Sequence, residues 1–138
     1  MYPSANQYRQ MQITTASPEA ILLMLYDGAI SFSKMAQDRM SRKDIPGKGT
    51  YLGKALAIVT ELMNTLNHDV GGEIAQNLDR LYIYLIGEFT KANMDNDSKS
   101  LENAIVILSN LRDTWTEAVE IVKRERCEVK ALKAVAAR

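Results

Sequence analysis

The feature that most constrains the fold is a long apolar repeat near the C-terminus. Its members follow one another at steps of three and four residues: Leu101, Ala104, Leu108, Leu111, Trp115, Ala118 and Val122. This spacing places all of them on one face of an α-helix, as in the seam that a bundle helix presents to its neighbours. Proline is absent from residues 47–138, and no segment alternates apolar and polar residues as a half-buried strand does. The sequence therefore predicts an all-α fold.

Three other apolar runs with similar spacing lie upstream of this repeat. They begin at Leu22, Leu52 and Ile74, and each continues through several helical turns. Four helices joined by short connections favour an antiparallel four-helix bundle. The predicted helices span residues 17–42, 50–68, 72–93, and 98–123 or beyond.

Residues between these runs supply start and stop signals. Ser17-Pro18-Glu19 is a helix start, because the serine can accept an unpaired backbone N–H and proline is tolerated in the first turn. Pro46-Gly47 and Gly71-Gly72 are predicted as breaks, since glycine permits a sharp change of direction. The polar run at residues 93–98 is predicted as a capping turn. His68 is accordingly placed at the end of the second helix.

The two ends of the chain differ from its helical middle. Residues 1–16 are rich in glutamine, threonine, serine and tyrosine and show no helical period, so they are predicted to form a flexible, extended N-terminal arm. Residues 17–123 form the predicted bundle domain. Residues 124–138 are predicted as a basic C-terminal tail whose alanine, lysine and glutamate content can extend the fourth helix.

Charge and cysteine content indicate which partners and which cellular compartment to expect. Seventeen basic and seventeen acidic residues cancel, so no overall field attracts nucleic acid or an anionic membrane. The single Cys127 cannot form an internal disulfide, which fits a reducing compartment. The N-terminus lacks signal-peptide features, and the longest apolar run, residues 20–26, is too short to span a bilayer. We therefore expect a cytoplasmic protein that binds no nucleic acid and inserts in no membrane.

Motifs for catalysis, cofactors and metals are all incomplete. His68 is the only histidine, so the two Glu-x-x-His pairs of a di-metal bundle site cannot be assembled. The glycines before Lys54 miss the phosphate-loop spacing, and Ser98 and Ala104 stand where a calcium loop needs glycine and glutamate. Cys127 has no histidine beside it to act as a base. The sequence predicts no catalytic, cofactor-binding or metal-binding residue and favours a binding protein over an enzyme.

Apolar residues exceed the roughly three positions in seven that a bundle helix needs for its core. The excess is clearest in the runs at residues 21–26, 82–86 and 105–108. Two explanations stay open at this point: a central helix that is covered on several sides, or a groove that receives an amphipathic partner helix. The seven methionines would suit a groove that adapts to varied contours.

Five fragments, taken in order, resemble one known family. The fragments are Ala16-Ser17-Pro18-Glu19 followed by Leu22 and Met24-Leu25-Tyr26-Asp27-Gly28-Ala29-Ile30, then Leu62-Met63-Asn64-Thr65-Leu66-Asn67, Gly71-Gly72-Glu73-Ile74-Ala75-Gln76-Asn77-Leu78, Leu81-Tyr82 and Leu111-Arg112-Asp113-Thr114-Trp115. From about residue 8 to residue 122 the sequence resembles FliS, the family of flagellin export chaperones. Each fragment is weak alone, but their order and spacing make a specific signal.

The resemblance implies a function that periodicity does not supply. It implies a cytoplasmic chaperone that binds the C-terminal segment of flagellin, prevents premature polymerisation and delivers flagellin to the flagellar type III export gate. It also implies that the N-terminal arm can occupy part of the client surface. The alternative is a helical adaptor or regulatory module that binds a different amphipathic-helix client. An arm and a groove on one molecule also permit arm exchange in a homodimer.

The candidate client-binding residues are two arm residues and a set of apolar positions beside or beyond the core seams. They are Tyr8, Ile13, Ile58, Leu62, Met63, Tyr82, Ile86, Phe89, Ile105 and Ile107. The resemblance places Tyr8 where the family's arm tyrosine is expected. Asp27, Arg112 and Asp113 are interpreted as solvated side chains or an interhelical ion pair. Trp115 is interpreted as a core residue.

Overall fold

The computed structural model describes residues 17–137, and these residues form four α-helices with no strand among them. The helices are α1 (Pro18–Ser41), α2 (Ile45–Asn64), α3 (His68–Asp95) and α4 (Ser98–Ala136). This confirms the predicted all-α fold with four helices. Tyr8 and Ile13 lie outside the described residues, as does the rest of the predicted arm.

The helices form an antiparallel bundle in which each packs on two neighbours. α1 packs on α2 and α4, and α3 packs on the same two helices. Contacts between α1 and α4 run in opposite directions along the chain: Glu19 meets Arg126, Tyr26 meets Trp115, and Gln37 meets Glu102. The short connections at residues 42–44, 65–67 and 96–97 leave no room for a parallel crossover.

Each of the four helices begins after a polar residue whose side chain accepts a backbone N–H group that would otherwise be unpaired. The N-cap residues are Ser17, Asp44, Asn67 and Asp97. Such a cap contributes about 1 kcal/mol to helix stability. All three connections between the helices are short. The N-cap residue of α2, α3 and α4 therefore lies within three residues of the end of the preceding helix. Each turn is therefore defined by local hydrogen bonds as well as by packing.

The core follows the predicted seams along most of the bundle. Its buried residues are Tyr26, Ala29, Ala36, Met40, Leu52, Ala55, Val59, Leu62, Tyr82, Leu85, Phe89, Ala92, Leu101, Ala104, Ile105 and Leu108. Each helix contributes at least one alanine among larger core residues, which lets the helices approach closely. α1 approaches α2 closely at Gly28, where an added Cβ would lie 3.1 Å from Ile58 Cδ1.

The predicted start of the second helix is wrong by five residues. α2 begins at Ile45, and Pro46 and Gly47 lie in its first turn rather than in a break. Proline is accepted there because the first N–H groups of a helix have no partner within it. Glycine suits position 47, since an added Cβ would collide with the Asp44 carboxylate, which caps the helix by accepting the Gly47 N–H.

The predicted boundary between the second and third helices is also wrong. α2 ends at Asn64, and His68 is the first residue of α3 instead of the last residue of α2. The reason is Asn67, whose side-chain oxygen accepts the N–H groups of Asp69 and Val70 and so starts a new helix. Gly72 then lies inside α3 as a kink, with φ 52° and ψ −123°.

The fourth helix is much longer than the others. α4 contains 39 residues and α1 contains 24, which corresponds to about 58 Å and about 36 Å at the usual helical rise. Residues 124–136 of the predicted tail are helical and continue α4 without a break. All of their side chains are exposed. α4 therefore projects beyond the end of the bundle that contains the start of α1.

Candidate functional site

The clearest candidate for a binding site is an apolar groove at the end of the bundle where α1 starts and α2 ends. We call it the groove. It has a volume of about 320 Å³. Its apolar wall and floor are made by Leu22, Leu66, Val70, Ile74, Leu78, Tyr82 and Trp115. These residues come from α1, from the connection between α2 and α3, from α3 and from α4, so the groove exists only in the folded bundle.

The kink in α3 shapes one wall of the groove. Gly72 has a positive φ that residues with a side chain rarely adopt, so the turn that starts α3 is not collinear with the rest of the helix. Val70 lies before the kink and Ile74 after it, and they are 85% and 68% exposed. Two β-branched apolar side chains are therefore presented to solvent on the rim instead of being buried.

The floor of the groove contains a small network of aromatic polar groups. Trp115 Nε1 donates a hydrogen bond of 3.1 Å to Tyr26 Oη, and the hydroxyl groups of Tyr26 and Tyr82 are hydrogen-bonded to each other. Burial raises the pKa of both tyrosines above its ordinary value. The network stays neutral at physiological pH and satisfies three polar atoms that the apolar core would otherwise leave unpaired.

The chemistry of the groove suits an apolar helix face. Among the residues that line it only Tyr82 carries a titratable group, and its hydroxyl is already hydrogen-bonded. Ile74 and Leu78 are four residues apart and so form a row along α3. A partner helix with apolar residues at similar spacing could pack against that row, and Leu22, Leu66 and Trp115 would extend the contact across it.

An ion pair links α1 to α4, and a second pair lies within α4. Arg112 Nε pairs with Asp27 Oδ1, and Arg112 Nη1 lies 3.7 Å from Asp113 Oδ1. The carboxylate of Asp27 raises the pKa of Arg112. The three side chains are between 41% and 74% exposed, so this is the interhelical, solvated ion pair that the sequence suggested.

The described client-binding candidates fall into two groups. Four are fully part of the core: Leu62, Tyr82, Phe89 and Ile105. Four are half-buried against it: Ile58, Met63, Ile86 and Ile107. Only Tyr82 reaches the groove, whereas Phe89 lines a smaller cavity of about 140 Å³ between α2 and α3 at the opposite end. Their contact with a client stays a prediction.

Sequence reasoning missed most residues of the groove. Leu22, Ile74 and Leu78 had been assigned to core seams, and Val70 to a loop. The signal that could have identified Val70 is the cap at Asn67, which places it in the first turn of a helix. The exposure of Ile74 could not be read from its spacing, because spacing does not show whether another helix covers that side.

Two other kinds of feature, metal clusters and membrane-spanning helices, were searched for in the residues that the structure describes. Within residues 17–137, no group of histidine, cysteine, aspartate or glutamate side chains is placed to hold a metal ion. None of the four helices combines the length and apolarity that crossing a bilayer requires.

Known proteins with similar sequences agree on one family. The family model for flagellar protein FliS matches residues 1–122. The flagellar secretion chaperone FliS of Vibrio cholerae is 39% identical over 106 residues, which cover 77% of this chain and 78% of that protein. The flagellar secretion chaperone FliS of Bacillus subtilis is 30% identical over 119 residues, which cover 86% and 88%.

A further relative and a solved structure support the same conclusion. The flagellar secretion chaperone FliSB of Pseudomonas aeruginosa is 35% identical over 113 residues, which cover 79% of this chain and 90% of that protein. The crystal structure of a bacterial flagellar chaperone matches with a TM-score of 0.70 at 19% identity, covering 85% of this chain and 98% of that one. At this identity the structural match supports the fold.

Proposed function

The chain belongs to the FliS family of flagellar proteins, and from this premise we propose that it is a cytoplasmic export chaperone for flagellin. It binds the C-terminal segment of flagellin, keeps it from polymerising early and delivers it to the flagellar type III export apparatus. The relatives are named flagellar secretion chaperones, which supports a role in binding rather than in turnover.

The groove is the observation that carries this proposal. It offers an apolar row, Ile74 and Leu78, beside the half-buried ring of Trp115. The C-terminal segment of flagellin, as the family resemblance implies, forms amphipathic helices that would otherwise pair with other flagellin copies. A groove that receives the apolar face of such a helix removes the surface through which flagellin polymerises.

The energetics require more contact than the groove alone supplies. A disordered segment that folds on binding loses a few kcal/mol in ordering, so useful affinity needs an interface on the order of 1,000 Å² or more. The half-buried candidates Ile58, Met63, Ile86 and Ile107 give the segment further apolar surface along the bundle. We therefore propose that the groove holds one part of the segment and that the rest wraps over these residues.

Calorimetric titration with a peptide that contains the last forty or so residues of flagellin tests the proposal. We expect one-to-one binding with a negative heat-capacity change, because apolar surface is buried. Ile74→Asp should weaken binding at least about tenfold, since it places a charge on the wall of the groove. Val106→Asp is the matched control, because Val106 is a 47% exposed residue of α4 that does not line the groove.

A second titration addresses the arm. A chain that begins at Ser17 should bind the peptide more tightly than the full chain if residues 1–16 compete for the client surface. No binding by either chain, with both folded, would rule out flagellin as the client. A different amphipathic-helix client would then become the leading explanation for the groove.

A further inference from the structure

A cavity on the outer side of α1 is separate from the groove. We call it the basic pocket. It has a volume of about 380 Å³ and is lined by Ser31, Lys34, Met35, Asp38 and Arg39 of α1 and by Tyr51 of α2. At about 100° per residue, the α1 part of this lining lies roughly opposite Leu22, which lines the groove. Leu22 and Met35 are also about 20 Å apart along the helix axis at the usual rise.

The basic pocket lies in a stretch of the chain with a strong positive charge. Residues 31–54 contain six basic and two acidic residues, so they carry a net charge of +4 in a chain that is neutral as a whole. Only one of the six basic residues, Lys48, is buried. The outer side of α1 and the start of α2 therefore present a basic surface.

The carboxylates of this stretch do not compensate its lysines. Both acidic residues are paired with an arginine: Asp38 with Arg42 at 3.3 Å and Asp44 with Arg39 at 3.7 Å. None of the ion pairs found within residues 17–137 includes Lys34 or Lys54. Two ammonium groups thus remain beside the pocket for the carboxylates of another molecule.

Two aromatic rings hold cations at the pocket. The rings of Phe32 and Tyr51 are stacked, with centroids 6.2 Å apart. Lys54 Nζ lies 5.4 Å from the centroid of Phe32 and 5.7 Å from that of Tyr51. The guanidinium carbon of Arg39 lies 5.8 Å from the centroid of Tyr51. The negative faces of the rings attract both cations and keep them in place.

Cations that are held in place bind a carboxylate better than mobile ones. A typical surface lysine loses side-chain freedom when it forms an ion pair, and this loss offsets most of the attraction. At Lys54 and Arg39 the contacts with the rings impose part of that loss before a partner arrives. The basic pocket is therefore preorganised for a carboxylate.

The lining of the pocket favours a protein over other anionic partners. Met35 is 43% exposed and offers adaptable apolar surface beside the cations. Asp38 lines the same cavity and would repel a row of phosphate groups. The ring of Tyr51 is already in contact with Phe32 and two cations, so it does not offer an open face on which a base can stack. These features fit an acidic segment with an apolar residue beside its carboxylates.

We propose that the basic pocket is a docking site for an acidic segment of a second protein. A carboxylate of that segment binds at Lys34 and Lys54, and an apolar neighbour packs on Met35. The pocket and the groove lie on different sides of α1, so both can be occupied at once. The inference rests on the proposed function in one respect: with flagellin in the groove, the basic pocket is left for a protein that recognises the loaded chaperone.

Fluorescence anisotropy tests the docking site on the full chain. The probe is a labelled helical peptide in which each leucine is flanked by glutamates, and the probe control has glutamine at every glutamate. We expect saturable binding of the acidic peptide only, weakened by salt because the attraction is electrostatic. Lys54→Glu should weaken binding at least about fivefold. The matched control is Lys99→Glu, which reverses an exposed charge on α4 outside the pocket and should have little effect.

A second variant tests the role of the rings. Tyr51→Leu keeps an apolar side chain and every charge but removes the ring, so it should weaken binding about two- to fivefold. Circular dichroism checks that each variant is folded. The proposal is overturned if the folded chain does not bind the acidic peptide, if the glutamine peptide binds equally well, or if Lys99→Glu has the effect expected of Lys54→Glu. An unchanged affinity in Tyr51→Leu would overturn the preorganised pocket.

Two further probes test the other anionic partners. They are a single-stranded oligonucleotide and vesicles of phosphatidylcholine and phosphatidylglycerol. Weaker binding of both than of the acidic peptide supports the proposal. If either binds more tightly than the peptide and Lys54→Glu abolishes that binding, the pocket is a site for phosphate groups and the proposal is overturned.

A titration in the presence of the flagellin peptide separates this inference from the proposed function. Saturating flagellin peptide should leave the affinity for the acidic peptide unchanged, because the two sites are separate. Displacement of one peptide by the other would overturn the separate docking site. If only the acidic peptide binds, the docking site stands and the flagellin assignment is lost. If only the flagellin peptide binds, the flagellin assignment stands and the docking site is lost.

Discussion

The two ends of the bundle are built from the same kinds of helix but differ in how completely they are closed. At the closed end, where α1 and α3 finish, Met40, Leu52, Ala92 and Leu101 are buried. At the open end, Val70 and Ile74 are largely exposed, and α4 continues past its neighbours. The closed end thus contains these buried core residues, and the open end contains the groove.

A buried lysine illustrates how tightly the closed end is made. Lys48 is 2% exposed, and its ammonium group donates 3.1 Å hydrogen bonds to the carbonyl oxygen of Asn93 and to Oδ1 of Asn96. It therefore links the start of α2 to the turn between α3 and α4. Asn96 adopts a left-handed conformation with φ 52°, which asparagine tolerates better than most residues.

The largest expected difference between the ends is in core packing along α3. Phe89→Ala should lower the free energy of unfolding by about 3–5 kcal/mol, because Phe89 is 2% exposed and its removal leaves a cavity. Ile74→Ala on the same helix should change it by less than about 0.5 kcal/mol. Urea denaturation measures both. Equal losses would mean that the open end is as important for stability as the closed end.

The next largest effect concerns Lys48. Lys48→Met keeps the apolar stem and removes the ammonium group, so Asn93 and Asn96 each lose a hydrogen bond in a partly buried site. We expect a loss of about 1–3 kcal/mol in the free energy of unfolding. The exposed Lys34→Met is the control and should be close to neutral. A neutral Lys48→Met would show that the closed end does not depend on this link.

A third prediction concerns the pH dependence of stability, which depends on the two buried tyrosines in the floor of the groove. Burial raises the pKa of Tyr26 and Tyr82 in the folded protein above their ordinary value of 10.0, so above pH 10 the unfolded chain loses these protons first. Stability is therefore fully present below pH 10 and falls above it, by at most about 1.4 kcal/mol per pH unit for each tyrosine. Tyr82→Phe should make the fall shallower in denaturation curves measured across this range. An unchanged slope would contradict the assignment.

The smallest expected effect is a difference in the loss of stability when two helix caps are removed. Asn67 caps α3 at the open end and Asp97 caps α4 at the closed end, each by accepting two backbone N–H groups. Because the kink at Gly72 separates the capped turn from the rest of α3, Asn67→Ala should cost only about 0.5 kcal/mol. Asp97→Ala should cost more, since the turn it caps continues directly into the core of α4. Thermal denaturation of the two variants gives the order.

Much of the fold could be predicted because it depends on local patterns. The seam from Leu101 to Val122 required a helix, and Ser17-Pro18-Glu19 set the start of α1 within one residue. The errors lie at residues that are common in two different local structures. Pro46 can end a helix or occupy its first turn, and only the capping carboxylate of Asp44 decides between them.

The site was predicted less well than the fold, for a physical reason. A period of 3.6 residues gives the side of a helix on which a residue lies, but not whether another helix covers that side. Leu62 and Phe89 were chosen as client contacts beside the seams, and both are in the core. The groove includes instead the seam residue Ile74, which is 68% exposed.

By itself, the sequence determined that this chain is helical, how many helices it has and, through its resemblance to FliS, what kind of partner to expect. These properties follow from spacing, caps and short motifs, all of which act over a few residues. The tertiary structure decided which apolar residues are covered and where the open end lies. Those properties depend on how the four helices pack against one another and on the length of α4 relative to its neighbours, and no local pattern encodes either.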